Sequence, residues 1–252
     1  MRQHAFSLVE LSIVLVILGL LAGGILAGQS LIRASEMRAV AIEYNRYVTA
    51  THAFHDKYFG LPGDITNAVS IWGLSTSCGG SSATGTCNGD GSGDFTVSST
   101  EQYHYWRQLA LAGLIEGNYT GTAGAGGSND NVIGTNCPPS KLPSAGWSVE
   151  TRGSYAGGAT RYAVNYGNDL TFGSQQVGSV ASNPTVLKPE EAWNIDTKLD
   201  DGMPGTGKVI VRSFNSWGSG SCSTSASETD YTGVYRLTNT SPACSIYFAR
   251  AF

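Results

Sequence analysis

Charge is what this sequence has least of. Only 13% of its 252 residues are Asp, Glu, Lys or Arg, about half the share of an average soluble protein. Fifteen basic against 19 acidic side chains leave a net charge of −4. That mild acidity excludes a protein that holds nucleic acid chiefly by charge, which needs a basic face. Signatures of catalysis are missing as well: the chain has no H-E-x-x-H, no G-x-S-x-G and no metal-type Cys pair. GMPGTGKV (202–209) stops one residue short of a phosphate-binding loop, because Val209 stands where Ser or Thr is required. It also leads into a strand-like VIVRSF instead of a helix, so nucleotide binding is excluded. What is plentiful is glycine, 33 residues in all, with many Ser, Thr and Asn and five Cys. That mixture points to a surface or secreted protein. Aromatics at 10% exclude a disordered chain, and 26.4 kDa leaves room for one large domain or two small ones.

The apolar residues are spread unevenly. From Leu11 to Ile32 no residue is charged, and the run matches the ~20 apolar residues that a bilayer-spanning helix needs. A secretory signal peptide is the competing reading, but no small-x-small cleavage site separates the run from the rest of the chain. Arg2 precedes the run and Arg33 and Arg38 come after it, so charge alone specifies orientation poorly. Glu10 breaks the pattern, between Val9 and Leu11. A carboxylate in the hydrocarbon costs about 2.5–3.5 kcal/mol unless it snorkels to the interface or finds a cation. The candidate cations are Arg2, His4 or an amine created by processing.

These residues resemble the start of a type IV prepilin or a type II secretion pseudopilin. The leader MRQHA, then Phe6, then Glu10 four positions on, then an uninterrupted apolar helix, is the pattern of that family. The resemblance implies cutting between Ala5 and Phe6 by a prepilin peptidase and N-methylation of the new Phe6 amine. It implies that Glu10 pairs with the amine of a neighbouring subunit, a cation that would make the carboxylate tolerable away from water. The partners implied are other pilin or pseudopilin subunits and an inner-membrane assembly platform. The location implied is the bacterial inner membrane, single-pass with the head in the periplasm, and then the pilus, pseudopilus or cell surface. Two departures stand out. Ala5 replaces the usual Gly, and the span holds Gly19, Gly23, Gly24 and Gly28 where many pilins have Pro. The missing Pro and the large size point toward a minor subunit. The alternative is a membrane-tethered binding module or adhesin with a calcium-binding head. A tethered hydrolase using Asp200 and Asp201 ranks last.

Beyond the span, Met37, Val40, Ala41, Tyr44, Tyr47, Val48, Thr51, Phe54 and Tyr58 recur at spacings of three and four, an amphipathic stripe. The intervening Arg38, Glu43, Arg46, His52 and Lys57 read as its polar side. One helix is therefore expected over 6–58, in the membrane to about residue 32, ended by Gly60, Pro62 and Gly63. Residues 1–5 form the leader and 59–252 the head. In the head, Asp64 is expected to cap a short helix through Trp72. Ser98 and Glu101 have capping-box spacing before a helix to about Ile115, and Pro189 opens another with Glu190 and Glu191 in its first turn. Strands are expected at 147–152, 161–166, 170–172, 209–214, 234–238 and 246–249. The fold class is α+β: a long N-terminal helix packed on an antiparallel sheet, with short helices and long loops. FHDKYFGLPGDITNA (54–68), EQYHYWRQLALAGLIEGNYTG (101–121) and EEAWNIDTKLDDGMPGTGKV (190–209) resemble a proteobacterial group of pilin-like proteins.

Candidate ligand sets are few. Asn88, Asp90, Ser92 and Asp94 alternate with glycines as in the first half of a calcium loop, but Ser99 stands where the closing Glu belongs. A solvated turn is the competing reading. Asp200 and Asp201 before Gly202 offer either a calcium site or a helix-ending Asp-Gly turn. His52 and His55 lie one helical turn apart and read as surface residues. In an oxidising compartment Cys78–Cys87 would close a small loop, and Cys222–Cys244 would resemble the C-terminal disulfide loop of many pilins. Cys137 is left over, either free and buried or part of a different pairing.

Overall fold

The computed structural model describes residues 8–95, 100–127, 129–179, 181–213, 217–218 and 220–252. A helix α1, Leu8–Tyr58, runs unbroken for 51 residues, about 77 Å at 1.5 Å per residue. The chain then forms α2 (Ala68–Trp72), a short 3-10 turn (Thr76–Cys78), α3 (Glu101–Leu111), β1 (Gly146–Ser154) and β2 (Asn165–Gly173). It ends with α4 (Pro189–Leu199), β3 (Val209–Ser213) and β4 (Cys244–Phe248). The four strands make one antiparallel sheet in the order β1-β2-β4-β3. The architecture is α+β and lollipop-like: a long helix carrying a head.

Register decides what each sheet face holds. Trp147 pairs with Phe172, Val149 with Leu170, Ile246 with Phe172 and Val211, and Phe248 with Leu170 and Val209. Cross-strand partners share a face, so these eight apolar residues form one layer, and all are buried. Half of α1 packs on that layer. Tyr44 stacks on Phe248 with ring centroids 4.2 Å apart. Tyr47 lies edge-on to Trp147 at 5.5 Å and to Trp106 of α3 at 5.1 Å. Thr51 shares a 2.5 Å hydrogen bond with the Tyr105 hydroxyl. The buried side of α1 is Met37, Ala39, Val40, Glu43, Tyr47, Ala50, Thr51 and Phe54.

Glu43 corrects the expectation of a polar outer side that included it. It is i+3 from Val40 and i−4 from Tyr47, in the middle of the buried stripe. Its carboxylate accepts hydrogen bonds from the Ser140 hydroxyl (2.7 Å), the Lys141 amide (2.9 Å) and the Trp147 indole (2.8 Å). One carboxylate thus ties the helix to β1 and to the loop before it. Lower down, Arg33 forks onto Glu191 of α4 through Nε (2.6 Å) and Nη2 (2.8 Å). It also reaches Glu36 at 3.1 Å. Glu191 completes its own helix start by accepting the Lys188 amide at 2.9 Å, so α4 is fastened to α1 directly after the apolar run.

The other sheet face is polar yet covered. Ser148 pairs with Thr171, Glu150 with Asp169, Thr171 with Tyr247 and Arg212 with Ser245. Arg152 lies in this layer, paired with Asp169 and with Glu150 (2.6 Å), its guanidinium 4.4 Å from the Tyr247 ring centroid. Burial works against its charge, but Asp169 and Glu150 outweigh it and hold Arg152 above its ordinary pKa. The loops around Ser182 and Asn183 close over the face: the Ser182 amide donates to Ser148 Oγ and Ser245 Oγ donates to the Asn183 carbonyl.

Several boundaries differ from expectation. α3 stops at Leu111 rather than about Ile115, and its N-cap is Thr100; Ser98 lies outside the described residues. Residues 161–164 are not strand, although 165 and 166 begin β2. In 234–238 no strand forms: Tyr235 makes an isolated bridge to Ser223, so the segment pairs with a loop residue and not with the sheet. Asp64 does not cap α2, whose N-cap is Asn67. It accepts instead from the amides of Gly91 (2.8 Å), Ser92 (3.1 Å) and Gly93 (2.9 Å), and Asn88 Oδ1 takes the Val69 amide at 2.8 Å. Gly63, at φ 88°, lets the chain after α1 lie against the α3 backbone at Glu101 and Tyr105, where a Cβ would collide. Disulfides join Cys78 to Cys87 and Cys222 to Cys244, and Cys137 is free and buried.

Candidate functional site: the amino-terminal helix and its flanking acidic groups

Ala5 and Phe6 lie outside the described residues. Glu10 stands in the first turn of α1, on an exposed stretch of helix. Between Leu8 and Ile32 every large hydrophobic side chain is exposed; Leu8 is 84% and Ile32 62% accessible. This is the one helix among the described residues long and apolar enough to cross a membrane, and the apolar window has a mean hydropathy of 2.5. Exposing so much apolar surface to water is strongly unfavourable at roughly 25 cal/mol per Å². The segment therefore requires lipid or other protein around it. Gly19, Gly23, Gly24 and Gly28 meet no other part of this chain, so within this chain nothing packs against them. Ser12 and Ser30 return their hydroxyls to the carbonyls of Val9 and Ala27, which hides their polarity inside the helix.

The two candidate ligand sets occupy separate turns of the head. In the glycine-rich loop, Asp90 Oδ1 accepts the Ser92 amide at 2.9 Å, and Ser92 Oγ donates to Asp94 Oδ1 at 3.2 Å. The structure gathers the carboxylate of Asp90 with those of Asp64 and Glu101, not with that of Asp94. Sequence spacing points to neither Asp64 nor Glu101 as a ligand, because both come from other segments. Asp200 and Asp201 converge with Asp196, a residue whose position inside α4 hides its role. Asp200 Oδ2 accepts the amides of Lys208 and Val209. Asp201 accepts the Met203 amide (2.8 Å) and the Thr206 hydroxyl (2.6 Å). These bonds build the turn that carries the chain from α4 into β3.

Asp196 is fully buried, holding the Tyr235 hydroxyl at 2.7 Å and the Gly202 amide at 3.2 Å. Burial, aided by the charges of Asp201 and Asp200, pushes its pKa up to about 7. In the unfolded chain it falls to about 3.9. The folded form therefore holds a proton that the unfolded form has lost between about pH 4 and pH 7, and stability falls as pH rises through that window. Relative to Asp196→Asn, the native chain should lose roughly 2–4 kcal/mol between pH 4 and pH 7.5. Urea unfolding of both proteins across that range checks it; parallel stability curves would remove Asp196 as the cause.

No curated protein and no solved structure matches the chain. Residues 1–26 match the family described as the prokaryotic N-terminal methylation motif. Joined to an exposed apolar helix that begins at Leu8, this motif points to a membrane-anchored, pilin-like structural subunit. The chain thus carries the prepilin-type amino terminus that type IV pilins and pseudopilins share.

Proposed function

We propose that this chain is a minor subunit of a type IV pilus or a type II secretion pseudopilus. A prepilin peptidase removes residues 1–5 and the Phe6 amine is methylated. The helix then anchors the protein in the inner membrane with residues 59–252 in the periplasm, until an assembly platform draws it into a fibre. There the apolar half of α1 exchanges lipid for the helices of neighbouring subunits, and Glu10 meets the Phe6 amine of one of them. A carboxylate inside a helical bundle is tolerated when a cation faces it, so the pair sets the axial register.

One observation carries this reading: the exposed apolar segment and the stripe that packs on the head belong to one unbroken helix. The lower half is left bare, whereas the upper half is fastened by Glu43 and Arg33. Such a chain can move from membrane to fibre without refolding its head. The experiment is expression alongside a complete pilus or pseudopilus machinery, followed by shearing. The protein is expected in the sheared fibre fraction. Retention of all of it in the membrane, with ligand binding by the head, would favour the tethered binding module.

A further inference from the structure

Arg107 of α3 is a buried cation without a counter-charge. It is 6% exposed, and no acidic side chain among the described residues forms an ion pair with it. Nη1 donates to the carbonyls of Tyr119 (3.3 Å) and Thr120, and Nη2 donates to that of Ala83 (2.7 Å). Nε finds no acceptor. These three bonds leave part of the guanidinium's five-donor fork unused. Burial, with no carboxylate beside it, holds the group below its ordinary pKa. His104, one turn earlier, does not compensate: burial and Arg107 push it down to about 4, so it stays neutral.

Next to this cation opens a cavity of about 290 Å³, at the small end of ligand sites. Arg107 lines it together with Thr76, Ser77, Asn118, Thr120 and Thr122. These side chains are hydroxyl or amide, with no acidic group among them. The walls are fixed in place. The Cys78–Cys87 disulfide fastens the short turn that carries Thr76 and Ser77. Gly121 (φ 71°) brings its loop so close to Arg107 and His104 that a Cβ would strike both.

We propose that this cavity binds a small oxyanion borne by a hydroxylated molecule. A carboxylate, sulfate or phosphate would lie against the Arg107 guanidinium, where a charge-assisted bond is strongest, and the Ser and Thr wall would take the hydroxyls. The site is on the head, far in sequence from the processing motif, and would give the subunit a recognition role in addition to its structural one.

The test uses the full-length chain in detergent micelles, titrated calorimetrically with glucuronate, inorganic phosphate or sulfate, with glucose as the neutral control. At least one anion is expected to bind, more weakly at higher salt, and glucose is not. Preference for glucuronate would identify an acidic saccharide as the source, and preference for phosphate or sulfate an ester. Arg107→Lys keeps the charge but loses the fork, and should weaken binding about tenfold or more. Because Arg107 also ties two loops, Thr76→Val, on the exposed rim, serves as the second variant; it should weaken binding with the melting temperature unchanged. Absence of binding by all three anions, equal binding of glucose, or full-strength binding by folded Arg107→Gln would overturn the proposal.

Discussion

Replacing Glu43 by Ala is expected to destabilise the folded chain by about 2–4 kcal/mol. The carboxylate is buried and is the acceptor for three donors from a different part of the fold, Ser140, Lys141 and Trp147. Its removal orphans the buried Trp147 indole N–H, which costs about 1–3 kcal/mol, and takes the partner of the part-buried Lys141 amide, which water can reach at a smaller cost. The Ser140 hydroxyl can turn away, so it adds less. Trp147→Phe, which deletes one donor and leaves the carboxylate with two, should cost less than Glu43→Ala. The double variant should cost less than the sum of the two. Chemical unfolding of the detergent-solubilised protein measures all three. A loss below about 1 kcal/mol for Glu43→Ala would mean that the helix is held by its other contacts and that Glu43 is not a principal tie.

The second large effect concerns assembly and leaves the head intact. Glu10→Val should be processed normally and reach the membrane, since it makes the apolar segment more apolar. Its share of the sheared fibre fraction should nevertheless fall about tenfold or more, the loss expected when a buried charge pair is broken by removing one partner. Glu10 lies on the exposed, apolar end of α1, away from the head contacts that begin at Arg33. The melting temperature of the head should therefore not move. Normal incorporation of Glu10→Val would refute the pairing role, whereas a changed melting temperature would show that the residue supports the fold.

The parts of this molecule legible in the sequence are those governed by short-range periodicity. The uncharged run to Ile32 and the stripe from Met37 to Tyr58 are two patterns on one helix, and α1 obeys both. Pro189 at the start of α4 and the apolar core of β4 are legible for the same reason. What stays hidden depends on residues distant in the chain. Glu43 carries a charge and so reads as solvent-facing, although its spacing from Val40 and Tyr47 places it in the stripe; only Trp147, more than a hundred residues later, gives the charge a reason to be there. Asp64 reads as a helix cap because its natural partners, the amides of 91–93, belong to a loop that no periodicity predicts. The segment 234–238 has strand-like composition, but its partner is Ser223 in a loop and not a strand of the sheet. The polar sheet face looks solvent-exposed on any single strand, since the loop that closes over it, around Ser182 and Asn183, lies outside the strands. The acidic groups completed by Glu101 and Asp196, and the cation of Arg107, are likewise products of tertiary packing.

If this helix is made to be trimmed and then assembled, its amino terminus must show it. The decisive quantity is the mass of the mature amino terminus after co-expression with a prepilin peptidase, with a catalytically dead peptidase in parallel. A chain that begins at N-methyl-Phe6, with residues 1–5 gone, is expected, and a full-length chain in the control. A mature protein that retains Met1–Ala5, or that is cut after the apolar run, would contradict it.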